Sequence, residues 1–305
     1  MFNGKFFNKI LVMQLLFVLT VMAADFGKNG FPMLKMDVDS RAAGMAGAYT
    51  AIAADAGASY WNPAGLTEGT AKSFLLMHNV WLEDISQEFA AFRFRVGRHS
   101  FGLSVNLLTI PGIEIRGDVP TEQPDGIADA YTFAAGFGYG IDFKKSWSAG
   151  INFKYLFEKY YLEQAPGWAL DLGLKKIDLI SNLDWGLTVQ NIGQMTKLKH
   201  NKTPLPFMIR SGLAYRLPWE ITGNKPIVAG DIQYIKDEGA YLRLGTEQDI
   251  FRNLSIRIGW ITGENTNHPT AGLGLNYNSY HIDYAFVPVE YDLGNSHRIS
   301  LKINF

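Results

Sequence analysis

From Tyr131 to Phe143 a bulky or apolar side chain recurs at every second position: Tyr131, Phe133, Ala135, Phe137, Tyr139, Ile141 and Phe143. Between them stand only Thr132, Ala134, Gly136, Gly138, Gly140 and Asp142. A period of two is the strand period, because successive side chains point to opposite faces. One face is therefore large and apolar, the other small or polar. Strands of soluble sheets run about 5–6 residues, whereas a tilted strand crossing a bilayer needs about 9–11. The alternation here covers thirteen residues. It returns at Phe101–Leu107, Trp147–Phe157, Trp168–Lys175, Leu183–Gln190, Leu254–Trp260, Tyr280–Phe286 and Arg298–Phe305. Weaker versions lie near 72–81, 86–97, 207–217, 225–235, 240–247 and 270–277. The pattern predicts an all-β fold over 71–305, an antiparallel transmembrane β-barrel of about fourteen strands. Closure is required, since an open edge in lipid would leave backbone groups unpaired.

The connections fit that reading. One alternate set is mostly tight: Gly97-Arg98, Lys144-Lys145, Lys176–Ser181, Pro218–Asn224, Gln248–Arg252 and Asn278-Ser279. The other includes Pro111–Asp129, Lys159–Pro166, Asn191–Pro206, Gly263–Pro269 and Pro288–Ser296, mostly longer and richer in Pro, Gly and Asn. Short turns on the periplasmic side and longer loops outside are the asymmetry expected of such barrels. The same phase points a set of charges inward: Arg93, Arg95, Lys154, Asp171, Lys175, Asp184, Arg210, Arg216, Asp231, Arg243, Glu247, Arg257, Asp283, Arg298 and Lys302. Charges in a closed interior must be paired or hydrated. Two readings stand, ion pairs bracing the interior against a plug or a selective aqueous path.

The first residues are a separate device. Lys5 and Lys9 precede an apolar run from Ile10 to Met22, and Val21-Met22-Ala23 offers a small-residue cleavage site. Residues 1–24 are expected to be a secretory signal peptide, exporting the chain toward the cell outer membrane. With no cysteine, disulfides, thiolate metal sites and a cysteine nucleophile are excluded. A formal net charge of −1 gives no basic field for nucleic acid. His78, His99, His200, His268, His281 and His297 form no helical metal-ligand pair. His281 and Asp283 share a strand face, but nothing picks out a serine to complete a hydrolytic triad. No catalytic residue, cofactor site or metal site is expected.

Residues 25–70 break the alternation. In 38–66, VDSRAAGMAGAYTAIAADAGASYWNPAGL, small residues dominate. Gly44, Gly47, Ala48 and Ala51 can line one tight helical surface, with Ser40 placed to cap it. Asp55 and Gly57 would end that helix, and Asn62-Pro63 reads as a turn. The stretch Ser40–Leu66 resembles the N-terminal signature of PorV/PorQ-type proteins within the FadL-like outer-membrane barrels. The likeness is carried by Ser40-Arg41-Ala42-Ala43-Gly44-Met45, Gly47 and Trp61-Asn62-Pro63-Ala64-Gly65-Leu66. It implies a fourteen-stranded barrel with this helical or irregular segment folded into the lumen as a hatch. Asn62, Pro63 and Ala64 fall on the hatch motif. Each of those three either steers the chain into the first strand or takes part in ligand passage. Arg41 is expected to pair with a lumen carboxylate. Ile299, Leu301, Ile303 and Phe305 alternate to the terminus, similar to the signal read by the barrel assembly machinery. Two functions follow from the resemblance. One is passage of hydrophobic small molecules. The other is an accessory or shuttle role with secretion-system proteins of the type IX or a related pathway. The expected surroundings are outer-membrane lipid.

Overall fold

The computed structural model describes residues 29–82, 84–118, 121–263, 266–288 and 294–305. The expected signal peptide, 1–24, lies outside the described residues.

Long alternation becomes long strands. They are β1 (Lys72–Val80), β2 (Ser86–Val96), β3 (His99–Ile115), β4 (Gly126–Lys144), β5 (Trp147–Tyr160), β6 (Glu163–Ile180) and β7 (Leu183–Met195). A two-stranded ribbon of β8 (Lys197–Leu198) and β9 (Asn201–Lys202) follows in the next connection. Then come β10 (Met208–Arg216), β11 (Ile227–Ile235), β12 (Gly239–Phe251), β13 (Leu254–Gly263), β14 (Thr266–Tyr277), β15 (Tyr280–Pro288) and β16 (Asn295–Asn304). All but the ribbon close into one fourteen-stranded antiparallel barrel, in which β1 pairs with β16 and β7 with β10. Closure leaves no edge strand.

The register sets the two faces. Phe137 opposes Phe153 and Tyr139 opposes Ile151, while Gly138 opposes Asn152 on the other face. Leu103, Phe137, Phe153, Ile258 and Leu273 are exposed on the outside; Gly102, Gly138 and Asn152 are buried within. The outside is thus an apolar belt suited to lipid. Near one rim, outward aromatics pack together: Phe94 on Phe101 at 5.1 Å, Phe101 on Tyr139 at 5.6 Å, and Trp147 on Trp185 at 6.2 Å between centroids. Amphipathic rings of this kind favour the lipid–water interface.

Two-residue turns at 97–98, 145–146, 181–182, 252–253 and 278–279 gather at one rim, with 217–226 the one longer connection there. This is the turn end; the opposite rim, with 81–85, 116–125 and 196–207, is the loop end. Several expected loops prove to be strand. Pro111–Ile115 belongs to β3, Asn191–Met195 to β7 and Thr266–Pro269 to β14, and only Tyr161-Leu162 separates β5 from β6. Proline and glycine were read as stops, yet the sheet absorbs them. Pro111 and Gly112 fall at a register shift between Ile110 and Ile113, a bulge that spares the missing donor.

Candidate functional site

The chain before β1 runs through the barrel from rim to rim. At the loop end Gly30 N–H donates to the Pro204 carbonyl at 3.0 Å, and the Asn29 amide donates to the Lys236 carbonyl. A 3-10 turn, Pro32–Lys35, follows. Phe31, Met33, Leu34 and Met36 pack in one apolar cluster with wall residues Leu108, Ala134, Leu156, Ala165, Ala169 and Met195. Trp81, Ile85, Leu198 and Leu205 cover it from the loops.

Below this cluster a helix forms, but only over Ser40–Gly44. Its cap is Asp39, whose carboxylate accepts from Arg41 N–H at 3.0 Å; Ser40, the expected cap, is the first helical residue. The helix does not continue through Gly47, Ala48 and Ala51. Ala46 and Gly47 take left-handed conformations, at φ 54° and 71°. A side chain on Gly47 would meet Arg243 and Asp37, so glycine is required twice over. The wall completes the break: Thr270 Oγ1 donates to the Gly44 carbonyl at 3.1 Å and accepts from Ala46 N–H at 3.0 Å. Asp231 then accepts from the amides of Tyr49 and Thr50, at 3.1 and 2.9 Å.

A second short helix, Ala58–Trp61, leads into Asn62-Pro63-Ala64. Asn62 is extended, and its side-chain oxygen caps a second 3-10 turn, Pro63–Thr67, by accepting from Ala64 N–H at 3.1 Å. Its amide group donates to Thr50 O of the same segment, at 3.1 Å, and to Leu174 O of the wall, at 3.2 Å. The motif is thus a buried anchor between segment and wall. Gly65 packs on the Ala53 carbonyl, where a Cβ would lie 2.1 Å away. Inward glycines of the wall make room. A Cβ on Gly150 would stand 2.2 Å from the Pro63 carbonyl carbon, and one on Gly173 2.2 Å from Asn62 Oδ1. Gly138 seats Leu66, Gly186 seats Thr50, and Gly245 and Gly259 seat Met45. The small inner face legible in the sequence is therefore the seat of the N-terminal segment.

Charges lock the fit. Lys35 pairs with Glu238, Asp37 with Arg243 at 2.9 Å, Asp55 with Lys302 at 2.9 Å and Glu68 with Lys175 at 2.8 Å. Arg41 meets Glu247 through two nitrogens, at 2.8 and 2.6 Å, as expected of a lumen carboxylate partner. Glu247 also accepts from Arg257. All fifteen expected inward charges face the lumen; of these, Arg95 and Arg216 are only half-buried. Arg210 is wholly buried and lies 4.8 Å over the Trp61 ring and 5.9 Å from that of Tyr60.

His281 and Asp283 share the inner face but have separate partners: His281 meets Asn276 and Asn304, and Asp283 meets Arg257. Among the described residues no group of three His, Asp or Glu is placed to hold a metal ion. Ile299, Leu301, Ile303 and Phe305 stand on the outer face of β16 and its end, and Phe305 N–H donates to the Lys72 carbonyl at 3.0 Å.

What the sequence did not disclose is the apolar cluster of Phe31–Met36 and the three carboxylates, Asp37, Asp55 and Glu68, that answer wall cations. Their only signal was a surplus of inward Lys and Arg over inward Asp and Glu. The space left inside is small. A cavity of about 20 Å³ lies between Leu34, Ser59 and Tyr60 of the segment and Asn106, Asn152 and Asp171 of the wall. A polar vestibule of about 290 Å³ opens at the turn end around Arg41, Asp55, Arg257 and Lys302. The ladders from β1 to β2 and from β2 to β3 run without a register shift, so this part of the wall has no side gap.

The model of an uncharacterised protein family (UPF0164) matches residues 20–167. Among solved structures, the chain is similar to the toluene transporter TodX of P. putida, with TM-score 0.63 and 12% identity over 87% of this chain and 97% of that one. A TodX monoaromatic hydrocarbon channel carrying a deltaS2 mutation gives TM-score 0.63 and 12% identity, over 88% and 99%. The deltaS2S3 mutant gives 0.61 and 12%, over 84% and 99%. At this identity the likeness is one of fold: the chain has the TodX barrel fold. No curated protein matches it.

Proposed function

We propose that this barrel sits in the cell outer membrane and passes small hydrophobic molecules, with residues 29–70 acting as its hatch. The observation that carries the reading is the apolar plug at the loop end. Phe31, Met33, Leu34 and Met36 occupy a pocket lined by Leu108, Leu156 and Met195, and an apolar solute offers that pocket equivalent contacts. A solute that competes there loosens the upper end of the segment, and only ion pairs and hydrogen bonds then hold the rest. The TodX proteins of the same fold are described as a toluene transporter and a monoaromatic hydrocarbon channel, which supports a ligand of that class. The short-turn rim would face the periplasm. Cells lacking the gene, with and without wild-type complementation, test the reading by uptake of labelled toluene. Wild type restores uptake; equal uptake with and without the wild-type protein overturns it.

A second reading rests on the filled lumen. With the segment in place the barrel's accessible surfaces are its rims, and the Ser40–Leu66 motif supports placement with the PorV/PorQ branch. The protein would then be an accessory of type IX or related secretion, holding exported proteins at its loop end. Affinity capture that recovers neither translocon nor cargo argues against this role.

A further inference from the structure

The inner cations of the wall fall into two sets. The first is neutralised within the wall. Arg95 pairs with Asp142 at 2.7 Å, Lys154 with Asp171 at 2.8 Å, Arg216 with Asp184 at 2.7 Å and Arg257 with Asp283 at 2.6 Å. Glu247 keeps Arg257 even if Arg41 leaves. These four cations and five carboxylates keep their partners whatever the N-terminal segment does, and leave one negative charge.

The second set depends on the segment. Lys175, Arg243 and Lys302 have as their carboxylate partners Glu68, Asp37 and Asp55. Arg298 donates to the Asp37 carbonyl at 3.0 Å. Arg93 donates through Nε to the Leu66 carbonyl at 2.7 Å, and its other two nitrogens are buried without a hydrogen-bond partner. Arg210 faces Trp61, and none of its three nitrogens has a hydrogen bond. Six wall cations thus rely on the segment, by charge, by carbonyl or by ring. They form two tiers. Arg93, Lys175 and Lys302 lie toward the turn end on β2, β6 and β16; Arg210, Arg243 and Arg298 lie toward the loop end on β10, β12 and β16. Against them stand three inner wall carboxylates outside the first set: Asp231, held by the segment's backbone, Glu158, which accepts from Thr203, and Asp249, which accepts from Ser255, so cations remain in excess.

We infer that the lumen, once the segment is released, is an anion-selective path that passes small anions ahead of cations. Release removes Asp37, Asp55 and Glu68 together and leaves two tiers of Lys and Arg facing water. Rings of fixed positive charge in a low-dielectric wall concentrate anions and exclude cations. The inference rests on the hatch reading, and adds to it an ionic activity that hydrophobic passage does not require.

The test uses the full chain in planar bilayers under a potassium chloride gradient. Asp55→Lys with Glu68→Lys places like charges against Lys302 and Lys175 and expels the turn-end half of the segment. Wild type under several-molar urea releases the segment without substitution, and serves if the double variant fails to insert. Wild type without urea is expected to be nearly silent. Both opened forms should conduct, with a zero-current potential showing a several-fold preference for chloride over potassium. Adding Arg243→Glu to the opened variant should reduce that preference. Conductance that is unselective or favours potassium overturns the inference and leaves the hatch standing. Absence of conductance in both opened forms overturns the hatch and the inference with it.

Discussion

Trp61 sits where three restraints on the N-terminal segment meet. Its indole N–H donates to the Val38 carbonyl at 3.0 Å, Tyr49 and Tyr60 pack edge-on against it, and Arg210 covers its face. A buried guanidinium without a carboxylate is costly, and a tryptophan face is its best neutral partner. Trp61→Ala removes that partner and leaves a hole, at a cost of about 3–5 kcal/mol. The cost falls on docking of the segment, because the wall ladders are untouched. The expected result is a barrel of normal heat-modifiability whose N-terminal segment is cut by protease in detergent micelles; a segment as resistant as wild type contradicts this. Gly150→Val tests the seat from the wall side, since its side chain would strike the Pro63 backbone. It should free the same segment, whereas Gly97→Ala, at a turn glycine with no neighbour within 4 Å, should not. At this scale the alternation assigned each charge to a face. It could not name partners such as Glu68 for Lys175, because pairing across a lumen follows from chain path and not from phase.

Among the elements, the strands were the most legible and the N-terminal segment the least. A thirteen-residue alternation has one structural solution, so β4 and β5 followed from the sequence with their faces correct. The loop-end extensions of β3, β6 and β14 did not, because Pro111, Pro166 and Pro269 read as stops while bulges and unpaired edge positions of a long ribbon accept them. The segment misled in the opposite direction. Ala and Gly between 42 and 57 satisfy a helical surface, yet the first helix stops where Thr270 of the wall takes over its backbone hydrogen bonds, and Asp231 then takes those of Tyr49 and Thr50. Tertiary partners outweighed local propensity. The last strand carries its own test. β16 must close on β1, and Phe305 N–H already bonds Lys72 O across that seam. Deleting Phe305 should lower the amount of folded barrel in the outer membrane several-fold, read by heat-modifiability of membrane fractions. Unchanged assembly would remove the terminal aromatic from that role.

The described molecule is a closed apolar-belted cylinder filled along its axis by residues 29–70. Glycine seats, five ion pairs and an apolar plug fix that filling. A solute can cross the lumen only if the segment yields, since the segment runs through it from rim to rim. The absence of cysteine makes the movement directly measurable. Ala64→Cys places one thiol inside the lumen, against Gly150 and Gly173 of the wall, where Ala64 is 0% exposed. Its labelling by a membrane-impermeant maleimide should be negligible in intact cells and rise sharply when a small apolar aromatic solute is added outside. Labelling that is equally fast with and without the solute, or absent in both, would contradict a hatch opened by hydrophobic cargo.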